Sequence, residues 1–102
     1  MTLTTQKIHH ALKKAGHGKA VWVASGNIRG WGRWHEGYKI EKDGNRLGVC
    51  HITDHWASRK MGQDAYLKYV HERLTAYQKA LEVAGIQSVL NDSDIPHLEL
   101  YG

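Results

Sequence analysis

One turn limits what this chain can fold into more than any other feature. In the stretch from Tyr38 to Thr53, the runs Tyr38 to Lys42 and Leu47 to Thr53 flank Asp43-Gly44-Asn45, a cluster that tolerates positive φ and reverses a strand. The segment is predicted as a β-hairpin. Strand alternation places Tyr38 and Ile40 on one face and Lys39 and Glu41 on the other. On the return strand, Leu47, Val49 and His51 oppose Gly48, Cys50 and Ile52.

The cover for such a sheet comes from two helical stripes. Ile8, Ala11, Leu12 and Ala15 recur at helical spacing, predicting a helix over about 5–15 that Thr4 or Thr5 caps and Gly16 ends. Tyr66, Tyr69, Val70, Leu74, Tyr77, Leu81 and Ala84 give a longer one over about 64–84, stopped by Gly85. The two helices end on the same pattern, Ala11-Leu12-Lys13-Lys14-Ala15-Gly16 and Ala80-Leu81-Glu82-Val83-Ala84-Gly85. It reads either as an αβ unit used twice or, more simply, as the same glycine cap used twice. Ala20 to Ala24 is read as a strand, 26–37 as an irregular strand or a loop, and Ile86 to Leu90 with His97 to Tyr101 as a second hairpin. Pro96 is taken to mark the last strand as an edge. The expected architecture is one α+β domain over 1–102, with two helices on one face of a four- to five-stranded antiparallel sheet in the order α-β-β-β-α-β-β.

At 102 residues, 41% hydrophobic and 24% charged, the chain matches a single small globular domain and not a disordered one. One cysteine, Cys50, rules out an intramolecular disulfide and points to a reducing compartment. The sequence shows neither a membrane-length apolar run nor the h-region of a signal peptide, so a cytoplasmic protein without membrane attachment is expected. The net charge of +4 is unevenly spread. Residues 1–60 carry 11 Lys and Arg against 4 Asp and Glu, whereas 61–102 carry 3 against 6. All four Trp, at 22, 31, 34 and 56, lie in the basic part.

These properties converge on residues 28–39. In an extended conformation Arg29, Trp31, Arg33 and His35 share one face, alternating cations with rings. Cationic side chains neutralise phosphates, and Trp rings stack on bases. Arg29, Trp31, Arg33, Trp34 and Lys39 are therefore the candidate contacts with nucleic acid, and Lys13, Lys14 and Lys19 add sequence-independent attraction. Two other readings stand beside it. Trp31 and Trp34 are core residues with arginines lying around them, or the same surface, or the Tyr66, Tyr69 and Tyr77 helix, meets a host protein or a second copy of the chain.

No cofactor, metal or catalytic residue is assigned, and a non-enzymatic protein is expected. Cys50, His51, Asp54 and His55, with His9, His10 or His17, supply metal-ligand types, but Cys50 and His51 are adjacent on a strand and point to opposite faces. Cys50 with His51, His55 or His35 lacks an oxyanion-hole or glycine-elbow pattern and reads as a small core residue. Most of the eight histidines are expected to be exposed and to titrate near about pH 6.5, strengthening phosphate binding as pH falls.

Two resemblances follow from these residues. Ala11 to Gly16 followed by strand, hairpin and helix resembles the double-stranded-RNA-binding-like fold of HicA toxins, which are mRNA interferases. Where that family carries a catalytic His after a Gly-Ser pair, this chain has Ser25-Gly26-Asn27, so the activity is not carried over. The stretch from Ile28 to Ile40 is similar to short accessory proteins of actinobacterial phages, many of unassigned function. This resemblance implies a setting in the host bacterial cytoplasm and no mechanism; a homo-oligomer is expected separately, as the usual remedy for a small domain with Pro-edged strands and surplus Trp and Tyr.

Overall fold

The computed structural model describes residues 3–24, 32–53, 60–93 and 95–101. Thr5–Lys14 forms α1, begun by Thr4, whose hydroxyl accepts from the Lys7 N–H at 3.3 Å. Four strands follow: β1 (Val21–Ala24), β2 (Gly32–His35), β3 (Gly37–Asp43) and β4 (Arg46–Ile52). Then come α2 (Gln63–Val83), β5 (Gln87–Asn91) and β6 (His97–Tyr101). The Gly-rich segment read as strand or loop thus supplies a short strand, β2. Strands β3-β4-β6-β5 form an antiparallel sheet, and β1-β2 form a separate two-stranded ribbon.

The hairpin turn is the tightest available. Asp43 sits opposite Arg46, which leaves Gly44-Asn45 as a two-residue turn. Gly44 has φ +60°, and no described non-glycine residue has positive φ, the pattern of a type II′ turn. The alternation also holds: Tyr38 and Val49 are fully buried and His51 nearly so. They face Ile8 and Leu12 of α1 and Val70, Leu74, Tyr77 and Leu81 of α2 in one core. Burying each such Leu is worth about 1.5–3 kcal/mol, which is how a 102-residue chain without disulfides holds its sheet under two helices.

Both helices end in the same Schellman cap. Gly16 N–H donates to Lys13 O at 2.9 Å and His17 N–H to Leu12 O at 3.0 Å. Gly85 N–H donates to Glu82 O and Ile86 N–H to Leu81 O, each at 2.9 Å. Gly16 and Gly85 take φ of +90° and +79°, the left-handed conformation this cap requires. The repeated sequence pattern is therefore a repeated helix terminus.

The last strand corrects one expectation. β6 is no edge: it lies between β4 and β5, and β5 is the outer strand. Pro96 stands just before β6, so the N–H it lacks is not one the ladder needs.

Gly18 to Ala20 lies alongside β3. Tyr38 N–H donates to Gly18 O at 3.0 Å and Ala20 N–H to Tyr38 O at 2.8 Å, a parallel bridge centred on Lys19 and Tyr38. Gly37 makes this approach possible, because a Cβ there would sit 2.4–2.5 Å from backbone atoms of Gly18, Lys19 and Ala20. β1 continues from this segment and runs antiparallel to β2. The chain therefore turns a corner at the Glu36 bend, and the ribbon leaves the body of the fold as an arm.

Candidate nucleic-acid interface

The arm is held by one cross-strand pair. Trp22 sits opposite Trp34, with ring centroids 5.6 Å apart and planes at 65°, an edge-to-face arrangement. Gly32 completes the seat: a Cβ there would lie 2.8–2.9 Å from two ring carbons of Trp22, so only glycine lets the indole lie against the neighbouring strand. Beyond Trp34, the Lys39 ammonium stands 5.3 Å from its ring centroid, within cation–π range. Lys39 also lies 3.7 Å from Glu41, and this ion pair is exposed and weak.

Both faces of the arm carry exposed side chains. Val21, Trp22 and Val23 are 52%, 46% and 44% exposed, although Val21 and Val23 point opposite to Trp22. Register places Val21 opposite His35 and Val23 opposite Arg33, so one face presents two Val, a cation and a His, and the other the Trp pair. β1 and β2 contain no carboxylate.

The sequence-predicted contacts are thus brought together in part. Trp34 and Lys39 touch; Arg33 is exposed on the opposite face of the ribbon. Arg33 and His35 share a face as expected, whereas Arg29 and Trp31 lie outside the described residues. Lys13 and Lys14 are exposed at the end of α1. Lys13 and Lys19 both lie close enough to His9 to disfavour its charged form, after the larger effect of its burial. Lys13 and Lys19 therefore form a second basic group on the α1 side. Trp34 is half-buried, packed against Trp22 on the arm and under Lys39 of β3, and is not among the residues of the central core.

At the foot of the arm lies a polar network that sequence reasoning missed. His51, opposite Tyr38 on β4, is buried, with its Nδ1 2.6 Å from the Tyr77 hydroxyl. Its Nε2 is 3.6 Å from the Glu36 carboxylate, too long for a hydrogen bond. Buried Nε2 has no hydrogen-bond partner among the described residues, and which of Nδ1 and the Tyr77 hydroxyl donates follows the imidazole tautomer. The Tyr69 hydroxyl donates to the same Glu36 oxygen. Arg73 lies over the Tyr77 ring at 5.5 Å and donates to His17 Nδ1 at 3.3 Å. Glu36 is the corner residue, so these bonds anchor the arm to α2.

The network corrects the view of the histidines as mainly exposed. His9 bonds the Tyr38 hydroxyl at 2.9 Å, His17 packs edge-on to Tyr77, and His71 and His97 are half-buried beside Asp92 and Glu99. His10 and His35 are exposed, and His55 and Asp54 lie outside the described residues. Burial drives His51 down to about 4 against the opposing pull of Glu36. Burial likewise lowers His9 and His17, with the cations beside them adding to it. These three do not charge near neutrality. Among the described residues no group of three His, Cys, Asp or Glu is placed to hold a metal ion.

Two further expectations meet the structure here. Cys50 is buried, and burial followed by the Glu41 carboxylate, 3.6 Å from Sγ, pushes its thiol up to about 11. It is held as a neutral thiol, the opposite of an activated nucleophile. The tyrosines of α2 do not form an outward surface: Tyr77 is fully buried, Tyr66 packs on the core, and Tyr69 is engaged with Glu36. Among the described residues no helix is long and apolar enough to cross a membrane. No family model, curated protein or solved structure matches this chain.

Proposed function

We propose that this is a non-enzymatic nucleic-acid-binding protein whose interface is the β1-β2 arm. The observation that carries the reading is a ribbon with exposed side chains on both faces, bearing a Trp pair, flanked by Lys39 and Arg33 and free of carboxylates on its strands. Lys13, Lys14 and Lys19 extend the positive surface around the body. Together with Arg33 and Lys39 they offer five cations to a phosphate backbone. If all five engage a single strand, log K falls against log salt with a slope of about −3 to −4. The resemblance to phage accessory proteins adds the setting, the cytoplasm of a host bacterium.

Fluorescence anisotropy of labelled oligonucleotides, titrated between about 50 and 200 mM salt, tests this reading. Affinity is expected to drop roughly 100-fold over that range, and an absence of binding at the low end removes the reading. The exposed Val21 and Val23 favour a second one, in which the arm meets a host protein or another copy of the chain. That reading gains if the protein retains a stoichiometric partner, or self-associates, after nuclease treatment.

A further inference from the structure

We propose that the Trp22 indole is a stacking platform for an unpaired base, so that the arm selects single-stranded over duplex nucleic acid. This rests on the arm being a nucleic-acid interface and specifies its ligand. Stacking needs a ring with one face free and little freedom left to lose on binding. Trp22 is the better placed of the arm's two described indoles, being the more exposed member of the pair. Its ring is supported by Trp34 and by the bare backbone of Gly32, yet the residue remains 46% exposed. The ordering that a flexible side chain would undergo on binding is already present in the free protein.

The surrounding charge suits one strand. Lys39 stands over the far member of the Trp pair, so a base on Trp22 brings an adjoining phosphate toward that ammonium. The competing partner, Glu41, has an exposed side chain and holds Lys39 only at 3.7 Å. A duplex, by contrast, keeps its base faces stacked on one another. It offers a face to Trp22 only after unstacking, which costs a few kcal/mol. Lys13 and Lys19, grouped near His9 on the α1 side, add attraction for either form and no discrimination.

The test uses the full chain with fluorescein-labelled oligo-dT, oligo-U and a mixed-sequence duplex. The wild-type protein is expected to bind one or both single strands at least tenfold more tightly than the duplex, and the two homopolymers separate a DNA from an RNA preference. Trp22→Ala should weaken single-strand binding about 10- to 100-fold and leave duplex binding unchanged, and Trp22→Phe should restore most of the loss. Binding that is equal for both forms and indifferent to Trp22→Ala overturns the stacking proposal while the arm stays an interface. No binding of any oligonucleotide by the wild type overturns the arm reading itself. Because Trp22→Ala also loosens the arm, the unmutated protein is cross-linked by irradiation to a 5-bromouracil-substituted single strand. Cross-links on the peptide holding Trp22 support the platform, and cross-links confined to other peptides overturn it.

Discussion

Val49 and Val23 are the same residue in the same kind of antiparallel strand, yet one is fully buried and the other 44% exposed. The difference is between two ways of specifying a strand. In the body, β3, β4 and β6 turn Tyr38, Val49, Leu98 and Leu100 toward two helices, and the sheet is held by what covers it. In the arm both faces carry exposed side chains, and among the described residues the ribbon is held by a Trp pair, a glycine that admits one of its rings, and a foot pinned by Glu36. A two-stranded ribbon alone is marginal in water. Surface left open at that cost to stability is where function is expected.

The largest effects should come from the body. Leu74→Ala empties a fully buried position beneath the sheet and should destabilise the fold by roughly 2–5 kcal/mol, seen as a lower urea midpoint. An equal loss from an arm variant would break the distinction between the two regions. Next in size is the response to acid. His51 is neutral in the folded protein down to about pH 4, whereas the unfolded chain protonates it near about 6.5. The folded state therefore has its full stability above that unfolded value and loses it as pH falls from there to about 4, by about 3 kcal/mol in all. Urea titrations at several pH values read this slope, and His51→Gln should flatten it.

Smaller again is Tyr77→Phe, which keeps the buried ring but strips His51 Nδ1 of its partner. About 1–3 kcal/mol should be lost, and a neutral result would mean that the network at the foot of the arm contributes little to folding. Trp22→Ala should change global stability least, by under about 1 kcal/mol, the scale of one cross-strand aromatic pair. That small stability change set against a large loss of binding is the sharpest form of the comparison.

The body was largely legible in the sequence because period-two and helical patterns report burial on one face. Asp43-Gly44-Asn45 fixed the β3-β4 register, and the stripe from Val70 to Leu81 identified the helix that covers it. The edge assignment for the last strand failed because a proline just outside a strand resembles one inside it until the ladder is seen. The arm was legible only in composition. Four glycines between 26 and 37 implied close approaches, and Gly32 and Gly37 do make them, against Trp22 and the 18–20 backbone. Which residue opposes Trp34 depends on a register that no turn motif specifies, so Trp22 was not singled out. The His51 network joins β4, α2 and the corner at Glu36 across 26 positions or more for some pairs, and no local pattern marks such an assembly.

The twin Schellman caps also set how the two helices can vary in length. Each cap ties the last turn to the first residue of the outgoing segment, His17 to Leu12 and Ile86 to Leu81, which locks the rotational phase of the helix to the direction of the following chain. Inserting one residue upstream of either cap would turn the buried stripe by about 100° relative to that exit. Ile8 in α1, or Val70 and Leu74 in α2, upstream of the insertion, would then swing out of the core. Length changes in these helices should therefore be tolerated in whole turns and not in single residues.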